Sequence, residues 1–206
     1  MAQKLYSPQI LYANSFQEMT RGIRSILSPT AKQETLPITT QYRKNRLRGE
    51  VLFSTREVST FLKGANFSPN QIQDRMNELD EEFRKLLEVH DAETYVRGCT
   101  DLMMKFISLH PFDDGNGRTS RMLLQAMLGR RGVSLPSTID NYFDREHDTD
   151  YSRMEYRCLQ TDDYSKMEEH ILKRVREYNG EELVLNDENI FPEEILATIS
   201  RKRSYC

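Results

Sequence analysis

Leu102-Met-Met-Lys-Phe-Ile-Ser-Leu-His-Pro-Phe-Asp-Asp-Gly-Asn-Gly-Arg-Thr-Ser-Arg-Met-Leu-Leu-Gln-Ala-Met-Leu128 reads as helix, turn, helix. Upstream, Val96, Cys99, Leu102, Met103, Phe106 and Ile107 recur at helical spacing, which predicts a helix from about Glu93 to Leu109. His110-Pro111 ends it, because proline biases the residue before it away from helical backbone. Downstream, a second apolar helix is expected to start near Gly117 and to stop near Gly129 or Gly132. Between the two helices lie an imidazole, two carboxylates, a Gly-Asn-Gly turn and two arginines.

That order of parts suits a phosphate site. A glycine turn opening a helix offers exposed N–H groups and the positive end of the helix dipole to an anion. Gly115 and Gly117 let the backbone approach a ligand closely and take positive φ. Asn116, between them, can cap the helix or hydrogen-bond a phosphate oxygen. Arg118 and Arg121 are three residues apart at the helix start, a spacing that stacks their guanidinium forks on one face. His110 can accept a proton near neutral pH, although a single histidine is more often structural. Phe112 is expected to anchor the turn to the core, since a catalytic loop must be held still. One carboxylate sharing Mg²⁺ with substrate phosphates and water is a common arrangement. Asp114, adjacent to the glycine turn, is preferred over Asp113 for that task; the alternative is an acidic cap for the next helix. Each feature alone has a bland reading as solvated charge or an ordinary turn. Their convergence within twelve residues favours function.

The rest of the chain extends the helical reading. Residues 1–27 carry mixed apolar spacing and are expected to contain a helix. Ser28–Pro37 looks like a connection, and Tyr42–Gly49 is a short basic segment whose bland reading is a solvated face. Val51–Phe53 and Val58–Lys63, followed by the turn Gly64-Ala-Asn66, form the one stretch with strand and hairpin character. Pro69 opens a strong helix through Ile72, Met76, Leu79, Phe83, Leu86 and Leu87. Further helices are expected at Tyr151–Leu159, Asp162–Tyr178 and Pro192–Ile199.

Composition excludes several classes. Hydrophobic residues are 37% and charged residues 30%, wet for a globular protein but enough for a helical core. The formal net charge of −3 gives no electrostatic attraction to nucleic acid or an anionic membrane. Cys99, Cys158 and Cys206 are odd in number and widely spaced, forming neither a metal motif nor a disulfide framework. Cys206 is terminal, whereas a prenylation box needs its cysteine four from the end. With no apolar leader and no membrane-length run, a reducing cytoplasmic compartment is the expectation, or delivery into another cell by a route the sequence does not display.

His110 to Arg121 resembles the signature of the Fic family, His-Pro-Phe-x-Asp/Glu-Gly-Asn-Gly-Arg-x-x-Arg, with every specified position matched. The surroundings are similar to the family from roughly residue 50 to 178. The resemblance implies a mainly α fold, a Fic-like helical bundle with a short β-hairpin flap. The division expected is an N-terminal region over 1–49, a Fic core over 50–178 and a C-terminal helical extension over 179–206. It further implies a protein adenylyltransferase that moves AMP from ATP to a Ser, Thr or Tyr hydroxyl and releases pyrophosphate. In that reading His110 is the general base and Asp114 holds Mg²⁺ across the α- and β-phosphates. Gly115, Asn116 and Gly117 form the anion loop, Arg118 meets the β-phosphate and Arg121 the γ-phosphate. The flap, expected at Val58, Ser59, Thr60, Phe61, Leu62 and Lys63 and running to about Phe67, would pair with an extended target segment; the bland reading is a surface hairpin.

Many Fic proteins carry an inhibitory helix with Ser/Thr-x-x-x-Glu-Gly/Asn, whose glutamate pairs with the second motif arginine. Here Thr30…Glu34 is followed by Thr35, Ser165…Glu169 by His170, and Val184…Glu188-Asn189 lacks the hydroxyl. None satisfies the pattern, so the chain is expected to be constitutively active or restrained by a separate inhibitory protein. Kinase-like and phosphocholine-transferring relatives carry alanine where this chain has Gly115, and the kinase-like ones replace Arg118 with lysine, which argues against both. UMP transfer and a non-catalytic nucleotide-binding module complete the alternatives. Tyr151 is weighed as a residue near the nucleotide, with core packing preferred.

Overall fold

The computed structural model describes residues 6–27, 67–112, 115–135 and 149–186. These form seven helices: α1 (Pro8–Leu11), α2 (Phe16–Leu27), α3 (Pro69–Leu87), α4 (Ala92–Leu109), α5 (Asn116–Arg130), α6 (Thr149–Thr161) and α7 (Ser165–Asn179). Among the described residues there is no strand. The expected hairpin with its flap at Val58–Lys63, the connection Ser28–Pro37, the basic segment Tyr42–Gly49, the helix Pro192–Ile199, and Asp113 and Asp114 lie outside the described residues.

Helix α4 is the axis of the bundle, packed by α3, α5, α6 and α7. Its sequence predicts one apolar side, yet Tyr95, Thr100, Met104, Ser108 and Leu109 are buried as well. The line Glu93, Arg97, Asp101 and Lys105, four residues apart, stays in contact with water, as does Thr94 in the first turn. Opposite charges alternate along it, with ion pairs Arg97–Glu93 at 2.9 Å and Lys105–Asp101 at 2.8 Å. Gly98 lets α3 approach: a Cβ there would stand 2.4 Å from Leu86 Cδ1.

The helix ends are closed by identifiable groups. Ser68 and Gln71 form a reciprocal capping box at the start of α3, and Asp91 accepts from Thr94 N at 2.8 Å at the start of α4. Asp80 of α3 accepts from Gln17 N at 2.8 Å and from Gln17 Nε2 at 2.7 Å, placing a buried carboxylate at the N-terminus of α2. At the other ends, Tyr95 Oη donates to Met127 O of α5 at 2.7 Å and Arg131 Nη1 to Leu87 O of α3 at 3.1 Å. These are last-turn carbonyls with no partner inside their own helices.

Helix α7 begins later than the expected Asp162. Asp162 takes φ +57, tolerable for an aspartate, and Asp163 Oδ1 accepts from Ser165 N at 3.0 Å and from Ser165 Oγ at 2.7 Å. This local turn breaks the chain between α6 and α7. Tyr151 is buried against α4, its hydroxyl 4.0 Å from Met103 Sδ, and its ring meets that of His170 with centroids 6.2 Å apart. No helix among the described residues is long and apolar enough to cross a membrane.

Candidate active site

His110 terminates α4 in the left-handed region, at φ 49° and ψ 57°, with its N–H donating to Phe106 O at 3.0 Å. Non-glycine residues rarely adopt this conformation, and it costs free energy that the surroundings must offset. The chain therefore turns sharply at the imidazole, and Pro111 is buried directly after it.

Phe112 is half-buried at the end of a row of rings. Its centroid is 6.1 Å from Phe106, which is 6.0 Å from Phe16, which in turn is 6.1 Å from Phe83. The last three rings are fully buried, so the turn is tied to the centre of the core. Asn116 supplies the second tie. Its Oδ1 accepts from Phe112 N at 2.9 Å and its Nδ2 donates to Phe112 O at 2.7 Å. The asparagine closes the turn on itself, so a phosphate contact through its side chain would have to displace bonds already made.

Gly115 precedes α5 at φ +78, where a side chain would be strained. The two motif arginines divide between the ends of the turn. A Cβ on Gly115 would stand 3.6 Å from Arg118 Nη2, and one on Gly117 would stand 3.4 Å from Arg121 Nη1. Arg118 is exposed, whereas Arg121 keeps only 4% of its surface. Equal stacking on one face therefore understates their difference: one reaches out at the mouth and the other lies within the protein.

A third arginine joins them. Arg24, from α2, has its Cζ 4.4 Å above the Phe112 centroid, and its Nη1 is 2.6 Å from the position a Gly115 Cβ would occupy. Nothing in the local sequence marks this residue, because it sits more than eighty positions upstream of the turn. The only available hint is its place next to Ile23, on the edge of the apolar face of α2.

Asp114 falls between Phe112 and Gly115, both of which are placed, while its own side chain lies outside the described residues.

A cavity of about 590 Å³ adjoins the C-terminal end of α4, lined by Phe67, Ser108, Leu109 and Tyr164 among others. Glu78, Glu82, Asp101, Asp162, Asp163 and Glu168 outnumber Arg75 and Lys105 on its walls. Burial pushes the Glu168 carboxyl above the usual range, and burial with the bond to Asp162 holds the Tyr164 phenol protonated. So acidic a lining disfavours a triphosphate. The phosphate reading therefore rests on the turn.

The Fic/DOC family model matches residues 23–128, more than half of the chain, and the chain belongs to that family. The match starts in α2, upstream of residue 50, and ends within α5. A curated relative, the uridine 5'-monophosphate transferase of Xanthomonas campestris pv. campestris (strain 8004), is 27% identical over 114 residues. That alignment covers 54% of this chain and 20% of the relative, so the chain spans about a fifth of the relative's length. No solved structure matches the chain.

Proposed function

We propose that this chain transfers a nucleoside monophosphate from a nucleoside triphosphate to a hydroxyl of a target protein. The observation that carries the reading is the turn itself: a positive-φ glycine opening α5, with guanidinium groups at both ends and His110 two residues before Phe112, on which Asn116 closes the loop. Membership of the Fic/DOC family supports it.

In this reading His110 accepts the proton of the target hydroxyl. The hydroxyl oxygen bonds to the α-phosphorus, the bond between that phosphorus and the bridging oxygen breaks, and pyrophosphate departs with its charge held by Arg118, Arg121 and the turn amides. Such chemistry needs placement and charge neutralisation more than covalent help. Mg²⁺ on Asp114, when bound, would neutralise the α- and β-phosphate oxygens. The target segment would lie along the flap at Val58–Lys63.

AMP transfer from ATP is the first form of the proposal. UMP transfer is the second, suggested by the activity for which the Xanthomonas relative is named. The two are separated by incubating the full chain with a cell lysate and ATP or UTP carrying the label at the α or the γ position. Nucleotidyl transfer labels proteins from the α position alone, and the base that works names the donor. Label arriving from the γ position would instead mean a kinase.

A further inference from the structure

We infer that Arg24 is a third phosphate-binding guanidinium of this site, reaching the anion loop from α2; the inference rests on the nucleotidyl-transfer reading above. Two independent contacts fix where its head lies. The guanidinium carbon is 4.4 Å above the Phe112 ring centroid, and Nη1 is 2.6 Å from where a Gly115 Cβ would stand. Arg118 Nη2 is 3.6 Å from that same point, so heads from two separate helices converge on one backbone position.

The geometry suits binding better than bracing alone. A guanidinium stacked on a ring uses its face, leaving its in-plane N–H donors directed around the rim, where oxyanion oxygens are recognised. The neighbouring Ile23 is fully buried and the far end of α2 is held by Asp80, so little freedom is left to lose on binding. A methyl group on Gly115 would stand where Nη1 now lies, so the Arg24 head would have to shift.

The test uses the full chain carrying His110→Ala to prevent turnover, with Arg24→Ala, Arg24→Gln and Arg24→Lys added singly. Calorimetry with Mg²⁺ measures Kd for ATP, UTP, inorganic triphosphate, adenosine and uridine, with circular dichroism as the folding check. Loss of a charged hydrogen bond predicts a rise in Kd of about tenfold or more for the triphosphates in the Ala and Gln variants. Partial recovery is expected with Lys and no change for the nucleosides. If Arg24→Ala does not fold, the Gln and Lys variants decide the matter. Folded variants that bind triphosphate as tightly as their parent overturn the inference while leaving the transfer reading intact, and equal losses for nucleosides and triphosphates reduce Arg24 to a brace for Phe112. A parent that binds neither ATP, UTP nor inorganic triphosphate removes both.

Discussion

His110 carries two burdens at once. Its backbone sits at φ 49° as the cap of α4, and its imidazole is the proposed base. The first burden can be isolated from the second, because His110→Gly and His110→Ala both delete the imidazole and only glycine accepts the left-handed region without strain. His110→Gly is expected to be the more stable of the two by about 1 kcal/mol, measurable by chemical denaturation. Equal stabilities would mean that the cap stores no strain. At this scale the chain was partly legible. The motif residues stand out by type and spacing, but Asn116 presents the same amide to a phosphate or to its own loop, and only the fold decides that it clasps Phe112. Arg24 was not legible, because convergence from another helix leaves no local pattern.

The helices became readable where burial is one-sided and periodic, as in α3, whose apolar residues and opening Pro69 are both visible in the chain. Helix α4 was placed correctly but understood as amphipathic; it is central, and its near-complete burial follows from neighbours that no single helix reveals. The late start of α7 escaped because the turn at Asp162–Ser165 competes with helix through side-chain bonds. Caps also give this level a pH dependence. Asp91 is held below the ordinary aspartate range by the hydrogen bonds from the Thr94 hydroxyl and backbone. A lowered folded-state value means that the cap stabilises above the unfolded pKa and that this contribution is lost as pH falls through the folded value. Asp91→Ala should therefore melt at a lower temperature than the wild type at pH 7, with the gap closing in strongly acidic solution. A gap that persists unchanged at low pH would contradict a role for the ionised carboxylate.

Over the whole molecule, one core joins the N-terminal helices to the motif helices. Residues of α1 and α2 share a single buried cluster with those of α3, α4, α5 and α7. The family match likewise begins inside α2. Regulation belongs to this scale too. Among the near-matches to the inhibitory pattern, Glu169 is exposed on α7, while Glu34 and Glu188 lie outside the described residues. If restraint comes from a separate protein, replacing Glu34, Glu169 or Glu188 by glycine leaves labelling of targets by the purified chain unchanged; a large rise with any one of them would identify an internal brake.

The central claim is that the turn grips a triphosphate so that His110 can activate an alcohol. The most direct measurement pairs two readouts on the full chain, wild type against His110→Ala: triphosphate affinity and the rate of α-label transfer to target protein. The account predicts unchanged affinity with transfer reduced by about 10²–10⁴-fold. Transfer by the variant at the wild-type rate would contradict it.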